Sequence, residues 1–252
     1  YQTAVDQKNT DKMIKDIEKK VGKDVKTEEY ESLTDEANAL LNGNVDAAVF
    51  NEGYMSMIDE SVEGFSDQVR ILYQYGIKTK LKEEKKADVQ EPFNVFISGI
   101  DVAGPITTNS RSDVNIVATI NTETKQILLV STPRDYFVPL SISNGAKDKL
   151  THAGIYGIDV CMDTLGMLYD EDIHYYFRVN FGGFTKIIDA LGGIDVDSDY
   201  EFDSRNILGW HYNKGVNHLD GESALVFARE RYAFSEGDRQ RGKNQMAVIK
   251  AV

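Results

Sequence analysis

At 252 residues, with 41% hydrophobic and 27% charged side chains, the chain has the composition of an ordinary globular protein and room for one large or two smaller domains. A balance of 28 Lys and Arg against 41 Asp and Glu gives a formal charge of −13, the wrong sign for a broad basic surface that binds nucleic acid. One cysteine, Cys161, and 4 histidines rule out an intramolecular disulfide and argue against a Cys-rich or multi-His metal centre.

The predicted elements begin with a helix carrying Met13, Ile14, Ile17 and Val21 at helical spacing. A second helix is expected from Thr27 as N-cap to Asn42-Gly43. A short apolar run at 47–50, a helix at 54–58 and a strand at 69–75 complete a small α+β accessory domain over residues 1–90. Its acids Glu28, Glu29 and Glu31 read as a solvated helix start. The charged stretch from Lys78 to Asp88, nearly free of apolar residues and followed by Pro92, reads as the linker.

Residues 91–252 alternate between strand and helix periodicity. Strands are expected at 93–100, 113–120 and 126–131, the last two joined by a hairpin turn at Asn121-Thr122-Glu123-Thr124-Lys125. Then follow a helix at 155–168, a strand at 174–179, a helix at 184–191, a strand at 194–196, a helix at 223–229 and a helix from Asp238 to the end. Gly182-Gly183 and Gly192-Gly193 read as turns around the middle helix. The run Asp195, Asp197, Asp199, Glu201 and Asp203 alternates like a solvated edge strand, with a calcium site as the alternative. The order predicts an α/β fold, an α-β-α sandwich with a central mixed sheet, antiparallel in the hairpin and parallel across the later crossovers. No stretch is apolar over the length of a signal peptide or transmembrane helix. Since the chain starts at Tyr1 and stops at Val252 without a helix stop signal, both ends are expected to be cut.

Arginine is unevenly placed: Arg70 alone precedes residue 91, and 8 follow it. Arg suits bidentate recognition of phosphate or carboxylate. Asp101 follows the first strand of the second region and Asp113 opens the next, behind Arg111. Two carboxylates at one sheet rim could hold Mg²⁺ with substrate phosphate and water, or each could simply end a strand. Pro133 stops the third strand and aims Arg134, whose neighbour Asp135 also allows a plain surface ion pair. Arg229, Arg231 and Arg241, with Gln245 one turn beyond, and Asp238 as a cap, fit a phosphate cradle at a helix start. They equally fit an Arg-rich face saturated by Glu230, Glu236 and Asp238.

Taken in order, Arg111-Ser112-Asp113, Ser131-Thr132-Pro133-Arg134-Asp135, Lys149-Leu150-Thr151-His152-Ala153, Val179-Asn180-Phe181-Gly182-Gly183-Phe184, Asp189-Ala190-Leu191-Gly192-Gly193-Ile194-Asp195, His218-Leu219-Asp220-Gly221-Glu222 and Ala228-Arg229-Glu230-Arg231 resemble the LytR-CpsA-Psr family of cell-wall proteins. The likeness covers residues 93–252. The divergent first region is similar to the extra domain of streptococcal capsule-locus members. The resemblance implies an enzyme on the extracellular face of the bacterial membrane, held by an N-terminal anchor absent from this chain. It implies transfer of a capsular polysaccharide or similar glycopolymer from a polyprenyl-(pyro)phosphate carrier to peptidoglycan, with Mg²⁺ at the pyrophosphate. Position by position, Asp101 and Asp113 match the metal-associated carboxylates, while Arg111, Arg134, Arg229, Arg231, Arg241 and Gln245 match the phosphate contacts. Of these, Asp113, Arg134, Arg229 and Arg231 are expected to carry catalysis.

Two departures stand out. The first motif continues Asp101-Val102-Ala103 where the family often has Asp-x-Arg, and Asn244-Gln245 replaces the usual Arg-Gln. A prenyl chain needs an apolar pocket, for which Phe93, Val95, Ile97, Val117, Leu129 and Phe177 on strands, and Phe181, Ile187, Leu191, Leu225 and Met246 on helices, are available; all serve equally as core. A polyprenyl pyrophosphate hydrolase and a non-catalytic sensor of lipid-linked glycopolymer share these residues as alternatives.

Overall fold

The computed structural model describes residues 5–77, 91–100 and 105–252, so the expected linker and Asp101 lie outside the described residues. The chain divides into two compact units. One comprises Tyr1–Lys82 with Val138–Asp148, the other Glu83–Phe137 with Lys149–Val252.

The first unit forms the three expected helices, the second of them shorter than expected. Helix α1 (Gln7–Val21) ends at Gly22 in the left-handed conformation, a common helix stop. Helix α2 (Leu33–Leu41) starts at Ser32 rather than Thr27, because the Ser32 hydroxyl accepts the amide of Asp35 three residues on. Helices α3 (Met55–Ser61) and α4 (Phe65–Gln68) follow, and Tyr54, Ile58 and Phe65 are buried. The strand expected at 69–75 does not form. Alternating apolar residues make a strand only with a ladder partner, and here Ile71 and Leu72 lie open while Tyr73 bonds to Asp16 and Lys20 of α1. Strand structure enters this unit from elsewhere in the sequence, through the short ribbon of β4 (Phe137–Pro139) and β5 (Lys147–Lys149).

In the second unit β1 (Phe93–Ile100), β2 (Ser112–Asn121), β3 (Gln126–Ser131) and β6 (Tyr175–Asn180) form a sheet in the order β3-β2-β1-β6. The first three are antiparallel; β6 joins β1 in parallel, as a crossover requires. The turn at 121–125 forms as expected, with the Asn121 side chain accepting the Thr124 amide at 2.9 Å. The helix expected at 155–168 is broken into α5 (Ala153–Tyr156) and α6 (Ile158–Tyr169), because Gly157 sits between them at φ +116°. Helix α7 (Phe181–Ala190) begins earlier than expected. Asn180 caps the Gly183 amide at 2.8 Å, so Gly182-Gly183 is the first turn of the helix and not a loop.

Register assigns the two faces of the sheet. Ser98 and Arg178 share one face, where Arg178 meets the electrostatic influence of Cys161 on α6. Val95, Ile97, Leu129, Ser131 and Phe177 share the other. Against that second face packs α9 (Asp238–Ala251), whose Gly242 lies so close to Ser131 that a Cβ would stand 3.2 Å from its hydroxyl. Helices therefore cover both faces. Val117 was expected among the pocket residues, but it lies opposite Phe96 on the α6 side, where both are buried.

The strand expected at 194–196 does not join the central sheet. As β7 (Ile194–Ser198) it pairs, among the described residues, with β10 (Gly215–Leu219) alone, next to a short ribbon of β8 (Phe202–Asp203) and β9 (His211–Tyr212). Its inward residues build a separate core with α7, α8 (Gly221–Arg229) and α9, including Ile188, Val196, Tyr212, Phe227 and Val248. Asp195 and Asp197 point outward, so the acidic run is a solvated face at this strand.

Candidate active site

The bulge where Ile100 pairs with Ser112 presents Asp113 at the rim of the sheet. Its Oδ2 accepts from Arg134 Nη1 at 3.0 Å and its Oδ1 from the Thr151 hydroxyl at 3.1 Å. Arg134 stands where Pro133 ends β3, as the sequence suggested, and its Nε is 3.7 Å from Asp135, which Lys149 holds at 3.1 Å. Burial works against the Arg134 charge, but Asp113 and Asp135 outweigh it and hold its pKa above the ordinary value.

Across from this pair lies the start of α9. A cleft of about 150 Å³ is lined by Asp113, Asn115, Thr132, Arg134, Arg241 and Gln245, among others. Asp238 is not the helix cap: Gly237 occupies that position, and Asp238 pairs with Arg241 one turn on. Arg241 is 9% exposed. Its pKa is pushed down by burial and by the like charges of Arg134 and Arg231, against the pull of Asp238 and Asp113. An arginine stays protonated under such pressure, so the cleft concentrates positive charge that a bound anion would relieve.

Helix α8 delivers the remaining arginines. Its last carbonyls are satisfied from α9: Asn244 Nδ2 donates to Phe227 at 3.2 Å and Gln245 Nε2 to Ala228 at 3.4 Å. Asn244 is thus a buried tie between helices, which accounts for an asparagine where the family usually has arginine. The Arg229 guanidinium stacks 4.2 Å over the ring of Phe181, and Arg231 lies 4.7 Å over Tyr232. Among the described residues neither has an ion-pair partner. Of the three acids that could saturate the arginines, Asp238 does so, on Arg241, whereas Glu230 is fully buried and Glu236 bonds Lys243 at 2.7 Å.

Asp113, Arg134, Arg241 and Gln245 therefore line one cleft, and Arg231 lies near enough to act on Arg241. Arg229 and Arg231 are not among the cleft-lining residues. Arg111 precedes β2, half-buried, and does not line the cleft either. Its segment is held by close packing of α5, since a Cβ on Gly154 would fall 2.4 Å from the Ser110 carbonyl and 2.6 Å from the Ser112 amide. Sequence reasoning did not assign Thr151 or Asn115. Thr151 stood inside a quoted motif, but nothing local shows that it reaches a carboxylate 38 residues away.

The donor set suits a hard cation in part. Each Asp113 oxygen accepts one bond and keeps a lone pair, and the buried Asn115 Oδ1 has no donor among the described residues. No cluster of three His, Cys, Asp or Glu occurs among the described residues, so a metal here would draw further oxygens from phosphate and water, as Mg²⁺ commonly does. A larger open groove of about 490 Å³ involves His211 and His218, each 2.8 Å from an aspartate, and no arginine or lysine lines it. It does not fit a phosphate.

Comparison with known proteins places these features in context. The LytR_cpsA_psr family matches residues 61–252. A polyisoprenyl-teichoic acid–peptidoglycan teichoic acid transferase, TagU, of Bacillus cereus is 35% identical over 200 residues, covering 79% of this chain and 64% of the relative. Crystalline B. subtilis TagV is 34% identical with a TM-score of 0.58, over 64% of this chain and 63% of that one. The LytR-CPS2A-psr protein YwtF (TagT), solved with bound octaprenyl pyrophosphate lipid, is 30% identical with a TM-score of 0.53, over 66% of each chain. The chain spans 64% and 54% of the length of two of the curated relatives it matches.

Proposed function

Because the chain belongs to the LytR_cpsA_psr family, we propose that its second unit binds a polyprenyl-pyrophosphate-linked glycopolymer in the cleft between β2, β3 and the start of α9 and transfers the polymer to peptidoglycan. The observation that carries this reading is the convergence of Arg134, Arg241 and Gln245 on one small cleft beside Asp113, with Arg231 close by. The half-buried apolar face of Val95, Ile97 and Leu129, with the more exposed Phe177, runs along the same side of the sheet as α9 and suits a prenyl chain. A relative solved with octaprenyl pyrophosphate supports the ligand class. The polymer is a capsular polysaccharide, as the first region's likeness suggests, or a teichoic acid, as the names of relatives have it.

In this reaction the acceptor sugar hydroxyl forms a new O–P bond to the polymer-linked phosphorus. The P–O bond to the prenyl phosphate breaks, and the hydroxyl proton leaves to solvent or base. Loose phosphoryl transfer asks for positioning and neutralisation of the departing charge. Arg134 is fixed against Asp113 and Arg241 against Asp238, so the forks are oriented before the anion arrives. Asp113, with Asp101 by family likeness, would hold Mg²⁺, which supplies charge at the phosphate oxygens. Such a lipid carrier places the reaction at a membrane surface, on its outer face where peptidoglycan lies. Among the described residues no helix is long and apolar enough to cross a membrane.

The test mixes the protein, Mg²⁺, lipid-linked glycopolymer and peptidoglycan. Polymer linked to peptidoglycan with release of prenyl phosphate is expected. Release of prenyl phosphate and free polymer phosphate without linkage would replace this reading by pyrophosphate hydrolysis, and tight binding with no turnover would replace it by a sensor.

A further inference from the structure

Glu230 stands between Arg229 and Arg231 in sequence and pairs with neither. It is 0% exposed. Its Oε1 accepts the backbone amides of Arg231 at 2.9 Å, Tyr232 at 2.7 Å and Ala233 at 2.9 Å. Its Oε2 accepts the Ser204 hydroxyl at 2.6 Å and the amides of Arg205 at 2.8 Å and Asn206 at 3.0 Å. A buried carboxylate is tolerated when it is hydrogen-bonded on all sides, and here dipoles rather than cations do that.

Two consequences follow for the arginines. Helix α8 ends at Arg229, and Glu230 leaves it in an extended conformation, φ −67° and ψ 132°. The path of the next three residues is therefore set by the Oε1 bonds, and those are anchored through Oε2 to the turn at 204–206. Arg231 gains its orientation from the same segment, over the ring of Tyr232 and near Arg241. Meanwhile the negative charge nearest in sequence is spent on amides, so both guanidinium charges remain for a ligand.

We propose that Glu230 is a positioning residue for the phosphate grip: with both carboxylate oxygens it clamps the backbone of 231–233 to the turn at 204–206, aims Arg231 and leaves its charge unneutralised. This rests on the lipid-pyrophosphate reading above and assigns the buried acid a part in it. Glutamine cannot replace it, because its amide nitrogen would face three donors on one side or the other.

The experiment uses the full 252-residue chain and two readouts. Hydrogen exchange at the amides of 231–233 reads the clamp without lipid; Glu230→Gln is expected to lose protection there while α9 keeps it. Octaprenyl pyrophosphate affinity at fixed Mg²⁺ is then measured for the parent, Glu230→Gln, Arg231→Ala and the double variant, at a temperature where all are folded. Glu230→Gln is expected to weaken binding about 10-fold in the parent and less than about 2-fold when Arg231 is already alanine, the non-additivity of residues acting through one another. Equal losses in both backgrounds, no loss in either, or unchanged exchange at 231–233 would overturn the proposal. A parent without lipid affinity but with a clamp that responds to Glu230→Gln would overturn the lipid reading instead. Should Glu230→Gln not fold, Ser204→Ala removes one bond to Oε2, together with the bond that the Ser204 hydroxyl accepts from the Ile207 amide, and is held to the same pattern with a smaller, about 3-fold, effect.

Discussion

Arg134 gives the sharpest single-residue test of the cleft. Lysine would keep its charge but lose the planar fork that reaches Asp113 and a phosphate together. Arg134→Lys should weaken octaprenyl pyrophosphate binding by about 1–3 kcal/mol, the range of a charge-assisted bond, as measured by titration calorimetry. An unchanged affinity would return Arg134 to the role of a plain ion-pair partner. Glu230 has its own signature in acid. Burial favours its neutral form, but the Ser204 hydroxyl and the amides of Arg205, Asn206 and 231–233 outweigh this and hold its carboxyl below the ordinary glutamate value. A depressed folded pKa means that the stabilisation is complete above the unfolded value, near 4.5, and is lost as pH falls through the folded one. The parent should therefore be more stable than Glu230→Gln at pH 7, and the gap between their melting temperatures should narrow below pH 4.5; a constant gap down to pH 3 would contradict the hydrogen-bond account.

At the level of elements, the two faces of the central sheet should respond differently. Phe177 is 48% exposed on the α9 side and contributes little to the core, so Phe177→Ser should reduce binding of octaprenyl pyrophosphate while inorganic pyrophosphate binds as before. Val117 is 5% exposed on the α6 side, and Val117→Ser should cost about 1–3 kcal/mol in denaturant unfolding with lipid affinity unchanged. Reversed outcomes would mean that the lipid uses the other face. Much of this layout could be read from the chain alone: β1, the turn at 121–125 and α9 fall where periodicity and turn residues put them. The failures have local causes. Asn180 recruited two glycines into α7, Gly157 divided one expected helix, and the apolar alternation at 69–75 found no ladder partner.

For the whole molecule, the division into units makes a truncation informative. Every described site residue lies in the second unit, so residues 91–252 should keep pyrophosphate affinity within about 2-fold of the full chain. The segment 138–148 belongs to the first unit and buries Val138 and Leu140 there. Removal of 1–90 leaves those side chains without the rest of their unit, and limited trypsin digestion should cut first at Lys147 or Lys149. Loss of affinity in a folded truncation would show that the first unit contributes to the site.

The chain by itself determined most of its helices and the strands of the central sheet, the split between a lysine-rich first region and an arginine-bearing second one, and the family to which the ordered motifs belong. These are local properties: spacing, caps, turns and the identity of short runs. Tertiary structure alone decided that β7 would leave the central sheet for β10, that 138–148 would join the unit that begins at Tyr1, and that Glu230 would turn inward to bind amides instead of pairing with its arginine neighbours. Each depends on which donors, acceptors and apolar faces meet across long stretches of chain. The cost of leaving a buried amide or carboxylate unsatisfied settles such choices, and that cost exists only once the chain has folded.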